Sequence, residues 1–436
     1  MGKSIIVEKA KKVSEEQGQK ALFVGLAVFA LIFPLWQYVW PYHIIGNQAQ
    51  SLFLLGLAIY FVCVLGIEYI NQRLEIRKVS LFSIVALIVF GVISCLCSKS
   101  LNSSVYGDEL QGQGFLTIFS YYIIFLAASQ LKNKTYRKRL MQYLILLLGF
   151  IAIYGVLQFL HVPVFRHKIV RAAVYPARNQ NFYAVYPTLF TGLMIARLMY
   201  EENGEDTSIG KKILSHLGIV LGFAACLSSD SLLVYMGLIM QFLLLLFFEL
   251  VTKRHRYGKA LLILVEFMLV FFLFDVISGG QILEEVLTLS NQIEQEGTLL
   301  GDYVGTGRMR LWKETIKAIP GIWAFGCGIG CTGRNHGIGD AHNEYLQLWA
   351  EQGIFALIAY LVFLFSLFIP GLLQFIKKEE YDSDFVSKAA MFVFFGYIAQ
   401  AFANVRVVQV APYFWLCCGL LYVRKRQFFS TPRKKD

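Results

Sequence analysis

At 436 residues, with 57% hydrophobic and 16% charged side chains, the chain departs from a soluble domain, which runs near roughly 45–50% apolar and about 25% charged. Its 37 Phe, 23 Tyr and 6 Trp call for an apolar solvent, which excludes a soluble multidomain protein; the same numbers exclude a disordered chain, and 8 Cys spread over the whole length exclude a disulfide scaffold. The net charge of +11 would suit nucleic acid unless the places of the 40 Lys and Arg explain it otherwise.

In chain order, apolar stretches lie near 21–40, 51–70, 79–98, 115–131, 141–160, 182–200, 213–229, 231–250, 260–278, 354–376, 389–406 and 409–423. Each approaches the ~20 residues that a helix needs to cross hydrocarbon. The expected fold is an all-α integral membrane protein of about 12 transmembrane helices, with a cytoplasmic segment at 1–20, a polytopic membrane domain at 21–423 and a basic cytoplasmic tail at 424–436. Met1 to Lys20 is polar and Lys-rich, and Ala21 to Trp40 is too long for a signal-peptide core, so no cleavable signal is expected. With the N-terminus in the cytoplasm, 29 of the 40 cations fall in cytoplasmic segments and 11 outside. This is the positive-inside pattern: the basic charge reports topology, both termini are expected inside, and no nucleic-acid partner is implied.

The outside cations are not spread evenly. Arg166, Lys168, Arg171 and Arg178 share a short loop, and Arg308, Arg310, Lys313, Lys317 and Arg334 share a large extracytoplasmic loop at 279–353, between helices 9 and 10. Lys99 stands alone, and Arg406 falls at a helix end. Because topology disfavours cations on that face, two clusters point to one anionic ligand, whose phosphate oxygens guanidinium forks bind in pairs. Headgroup contact by snorkelling side chains is the competing reading.

The long loop opens with an acidic run, Glu284, Glu285, Glu294 and Glu296, which reads as a solvated helix. Gly305-Thr306-Gly307 then starts an amphipathic helix in which Met309, Trp312, Ile316 and Ile319 recur near the 3.6-residue period, until Pro320 stops it. A cation in the first turn opposes the helix dipole, so Arg308 suits an anion better than it suits the helix. A glycine-rich run follows from Gly321 to Gly339. Gly328-x-Gly330-x-x-Gly333 has the letters of a dinucleotide fingerprint without its strand or its helix, so the run reads either as backbone that approaches phosphates or as a tight irregular loop. Cys327, Cys331, His336 and His342 are zinc-type ligands at a spacing too short for the common finger, and a Cys327–Cys331 disulfide is the alternative. Asp340 is expected to cap the next helix, which puts His342 in its first turn, where the dipole keeps an imidazole neutral and fit to act as a general base; a structural histidine is the competing reading.

These residues resemble the O-antigen ligase and O-antigen polymerase family, polytopic enzymes that transfer glycans from polyprenyl diphosphate carriers. The matching text is Gly305-Thr306-Gly307-Arg308-Met309-Arg310-Leu311-Trp312-Lys313, the turn from Pro320 to Gly330, Ala341-His342-Asn343-Glu344-Tyr345-Leu346-Gln347, and Gln352-Gly353-Ile354. His342-Asn343, nine residues and Gly353 are similar to the ligase signature, and Arg310, ten residues and Gly321 to an Arg–Gly spacing of the polymerases. Arg178-Asn179-Gln180-Asn181-Phe182-Tyr183-Ala184 resembles the family's Asn-Pro-Asn segment, with Gln180 where Pro is usual. Ser228-Ser229-Asp230-Ser231 stands where the family often has Ser-Arg.

The resemblance implies metal-independent glycosyl transfer with no cofactor, at the outer face of a bacterial cytoplasmic (inner) membrane, from a polyprenyl diphosphate-linked glycan donor to a glycan or glycolipid acceptor. It gives His342 and Arg308 catalytic roles, Arg310, Arg178 and Arg171 to the diphosphate, and Asn343, Asn181 and Gly353 to support. Asp230, Asp275 and Glu266, within or at the ends of apolar stretches, are expected to pair with Arg406 or another cation, or to join helices. A polytopic transporter or flippase of a lipid-linked glycan is the alternative function; a flippase would share the cations without needing the His. Gly204 to Lys211 has one residue too many for a P-loop, and no Gly-x-Ser-x-Gly elbow occurs.

Overall fold

The computed structural model describes residues 13–39, 46–107, 112–162, 172–177, 179–201, 209–252, 256–332, 340–376 and 385–422. Its helices are α1 (Glu15–Val39), α2 (Gly46–Ile70), α3 (Lys78–Cys97), α4 (Leu101–Tyr106), α5 (Phe115–Gln130), α6 (Lys134–Phe159), α7 (Gln180–Tyr183) and α8 (Val185–Ala196), which runs on as a π turn over Arg197–Glu201. There follow α9 (Ile209–Leu227), α10 (Leu233–Thr252), α11 (Tyr257–Ile277), α12 (Gln281–Glu296), α13 (Arg308–Ala318), α14 (Glu344–Gln352), α15 (Ile354–Ile376), α16 (Phe385–Gln400) and α17 (Ala411–Leu421). Among the described residues nine helical segments are long and apolar enough to cross a membrane, and α5, α16 and α17 are shorter apolar helices. Together they coincide with the twelve apolar stretches of the sequence.

The short apolar helices are the interior ones. α17 is buried throughout its length and α16 over nearly all of it, and α17 packs between α5 and α16 while α16 packs on α8 and α10. The long helices ring them and turn large apolar side chains outward: Leu52 and Ile59 of α2, Phe82 and Leu96 of α3, Leu269 and Phe272 of α11. In water such a surface would aggregate; in hydrocarbon it is matched to its solvent.

Where the sequence suggests helices at 389–406 and 409–423, the structure ends α16 at Gln400 and resumes helix at Ala411. The irregular stretch between them is buried almost throughout, with Phe402 as its exposed exception. Non-helical backbone at such depth is tolerated where protein surrounds it. Arg406 therefore sits within this buried segment, not at a helix end.

One end of the bundle gathers the basic segments. Arg73 donates to the Val13 carbonyl, Lys132 to the Arg73 carbonyl, Gln19 to the Gln130 carbonyl, Arg137 to the Leu420 carbonyl, and the Arg77 amide to the Tyr422 hydroxyl. At the opposite end Ser104 donates to the Ile329 carbonyl, the Ala173 amide to the Ser228 carbonyl and the Glu344 amide to the Ala401 carbonyl. The long loop thus lies opposite the basic loops, as alternation along the chain requires.

Candidate functional site

Gly305, Thr306 and Gly307 all have left-handed φ, at 67°, 58° and 82°. Glycine meets that need without strain at two of the three positions, and the turn delivers Arg308 as the first residue of α13. Arg308 curls back, its Nη1 donating at 3.4 Å to the Gly305 carbonyl and at 3.3 Å to Thr306 Oγ1, contacts at the long end of hydrogen bonding. Its Nε is buried and has no partner among the described residues, and the same holds for the indole N–H of Trp312, one turn further along the same face. The buried face of α13 continues through Thr315 and Ile319, whereas Ile316, expected on that face, is 53% exposed.

The cap of α14 differs from the expectation. Asn343, not Asp340, is the N-cap: its Oδ1 accepts from the amides of Tyr345 at 3.1 Å and Leu346 at 3.0 Å. His342 thus stands just before the helix instead of in its first turn, with φ at 46°, a conformation non-glycine residues rarely hold and one that recurs at functional sites. The cause of its neutrality changes accordingly. Burial, and after it the positive charge of Arg308, hold the imidazole below its ordinary pKa. α13 packs on α14, so the Arg308 charge acts on His342 from the helix beside it, and the His342 Nδ1 has no partner among the described residues.

Below this junction one face of α14 is polar and buried. Glu344 accepts from the hydroxyls of Tyr360 at 3.1 Å and Tyr397 at 3.0 Å. Two turns on, Glu351 accepts on one oxygen from Thr332 and Gln347, at 3.1 and 3.0 Å, and burial pushes its carboxyl up to about 7. Glu344 and Glu351 both feel the charge of Arg406.

The glycine run serves this helix. The amides of Cys327 and Gly328 donate to the carbonyls of Ala350 and Glu351, and that of Ile354 to the Trp323 carbonyl, satisfying groups that a helix end leaves open. A Cβ on Gly326 would come within 2.1 Å of the Glu351 oxygen, and one on Gly353, at φ 86°, within 2.0 Å of the Ala324 oxygen. Both positions therefore require glycine for close backbone approach, and these amides are committed to protein carbonyls. Cys327 and Cys331 form a disulfide, which occupies both thiols of the zinc-type quartet; His336 lies outside the described residues.

The remaining sequence expectations separate. Arg310 is exposed and reaches toward Glu314 at 3.9 Å, and Lys313 pairs with Asp302 at 2.6 Å, so both point away from the junction. Arg171 and Arg178 lie outside the described residues, as do Arg166, Lys168 and Arg334. Asn181 accepts from Ser231 at 2.8 Å on its side chain and from Asn404 at 3.1 Å on its carbonyl, while Gln180 donates to the Asp230 carbonyl. The Asn-Gln-Asn segment, the Ser-Ser-Asp-Ser segment and the irregular 401–410 stretch are thereby tied into one unit. Of the acids expected to pair with Arg406 or another cation, or to join helices, Glu266 pairs with His216 at 2.6 Å and so joins two helices, and Asp275 accepts from the Leu283 amide. The charge that acts most on Arg406 is that of Glu344. The one sequence signal for Arg406 is an outside cation set in an apolar run with Asn404 and Gln409.

Residues 217–361 match the family model described as O-antigen ligase. The match runs from α9 through the long loop into α15 and contains Arg308, Arg310, His342, Asn343 and Gly353; it bears out the family resemblance carried by those motifs. No curated protein and no solved structure matches the chain.

Proposed function

We propose that this multi-pass membrane protein with an O-antigen ligase domain transfers a glycan from a polyprenyl diphosphate carrier to a hydroxyl of a glycan or glycolipid acceptor. The observation that carries this reading is the buried, unpartnered Nδ1 of His342 just before α14, on which the charge of Arg308 acts from the adjacent α13. A neutral imidazole takes the proton of the acceptor hydroxyl as its oxygen attacks the anomeric carbon. The bond from that carbon to the diphosphate oxygen breaks, its electron pair stays on the diphosphate, and a guanidinium beside the base meets the charge that develops. Cations built into the protein take the place that a divalent metal holds elsewhere, so the transfer is metal-independent in this reading. Asn343 and Gly353 fix the two ends of α14, and Asn181 supports the site through Asn404 and the 401–410 stretch.

A lipid-linked donor also fits the surroundings. Between α15 and α16 runs an apolar cleft of about 420 Å³, lined in part by Leu361, Phe365, Phe394 and Ile398, and it ends at Tyr345 and Phe402, whose rings lie 4.7 Å apart. Tyr345 follows Asn343 by two residues, so an isoprenoid tail in this cleft would present its headgroup near the start of α14. The test is purified full-length protein given a polyprenyl diphosphate-linked glycan, with and without acceptor. Glycan on the acceptor and free polyprenyl diphosphate should appear in equal amounts and persist with chelator; movement of intact donor across a vesicle without transfer would establish a flippase.

In the same reading the protein sits in a bacterial cytoplasmic membrane with both termini inside and the long loop outside, a placement favoured by the basic loops at one end and by a disulfide, which persists in oxidising compartments. Leu300 is 63% exposed. A Leu300→Cys variant is expected to react with a membrane-impermeant maleimide on intact cells above the parent protein's background; reaction only after permeabilisation would reverse the topology and remove the site from the outer face.

A further inference from the structure

Arg406 is 8% exposed and lies in the irregular segment between α16 and α17. Among the described residues no acceptor is hydrogen-bonded to its guanidinium, and its Nε is fully enclosed. The charge of the Glu344 carboxylate acts on it, as do the hydroxyl groups of Tyr121, Tyr122 and Tyr360, and Glu344 lines one small cavity with Asn404, Val405 and Val407 on either side of Arg406. Burial of a charge costs several kcal/mol unless hydrogen bonds and an opposite charge compensate it. Glu344 supplies charge, yet its own oxygens are committed to Tyr360 and Tyr397, and Tyr121 receives a hydrogen bond at 2.9 Å from Gln113. Among the described residues nothing accepts a hydrogen bond from the guanidinium.

We propose that Arg406 is an anion-binding residue that takes a phosphate of the departing diphosphate of the lipid-linked donor. This rests on the glycan-transfer reading above. Glu344 acts as a positioning residue, holding the guanidinium by charge without saturating its fork, and as the first residue of α14 it stands two residues after His342. Arg308 and Arg406 reach the anion from different parts of the chain, one from the long loop and one from the segment before the last helix.

Binding of radiolabelled polyprenyl diphosphate to full-length protein in nanodiscs, without acceptor, decides the matter. Arg406→Gln is expected to weaken it at least tenfold and Arg406→Lys, which keeps the charge that balances Glu344 and so protects the fold, by a smaller factor, while His342→Ala binds as the wild type does. Wild-type affinity in monodisperse Arg406→Gln and Arg406→Lys would overturn the assignment and leave glycan transfer standing. Equal loss of phosphatidylglycerol binding in Arg406→Gln would make Arg406 a bilayer headgroup contact, and would also overturn it. A wild-type protein that neither binds polyprenyl diphosphate nor transfers glycan would instead remove the function on which the proposal rests.

Discussion

His342→Ala is expected to lower glycan transfer by roughly 10²–10⁴-fold, the usual contribution of a positioned general base, with donor affinity nearly unchanged. The argument starts from geometry. The residue holds a left-handed backbone between buried Ala341 and the cap residue Asn343, and its Nδ1 has no partner among the described residues. A histidine kept for structure would use that nitrogen in a hydrogen bond. The capping hydrogen bonds of α14 come from Asn343 and survive the substitution, so the helix should persist. Turnover and donor binding measured on the same monodisperse variant separate the readings: an unchanged rate with a lowered melting temperature would strike His342 from the catalytic residues.

The pH profile tests the same residue. Because burial and Arg308 depress the His342 pKa, the imidazole stays neutral to lower pH than an ordinary histidine, and activity should fall only on the acid side of the usual imidazole range. Removal of a neighbouring positive charge eases protonation. The acid limb of an Arg308→Gln variant is therefore expected at higher pH than that of the wild type, and a limb that does not move would show that the two groups are not coupled.

The membrane architecture was legible because runs of ~20 apolar residues have few alternatives to a lipid-embedded helix. The break in the last pair was not: Ala399 to Val410 sets Gln400, Asn404, Arg406 and Gln409 among apolar residues, and short segments of that kind do not disclose by composition whether they are helical. Asp340 and Asn343 are equally good caps by residue type, and choosing the former put His342 one turn too deep. Counting cations located the site's neighbourhood without telling their directions. Arg308 and Arg310 are two residues apart on one helix, hence about 200° apart around its axis, and the structure turns one inward and the other to solvent. Arg406 escaped because a lone charge in an apolar run reads as a helix terminus until the buried polar face of α14 is seen beneath it.

Arg308→Lys is expected to reduce turnover by about 10²-fold, as removal of one donor from a developing negative charge does, although the formal charge is kept. An ammonium is a compact, strongly hydrated point, whereas the planar guanidinium offers two parallel donors to two oxygens. The position sharpens this difference. Arg308 spends only Nη1 on the Gly305–Thr306 turn, so its Nε is left for a ligand, and a lysine satisfying the same turn would have little of its one nitrogen to offer. The loss should fall on turnover more than on donor affinity, because the charge on the diphosphate grows as the glycosyl bond breaks. The acid limb set by His342 should stay near its wild-type position in the Lys variant, which keeps the neighbouring charge, and move only in Arg308→Gln. Near-normal turnover in Arg308→Lys would mean that Arg308 contributes a diffuse field and no fork, and the burden of meeting the leaving group would pass to Arg406.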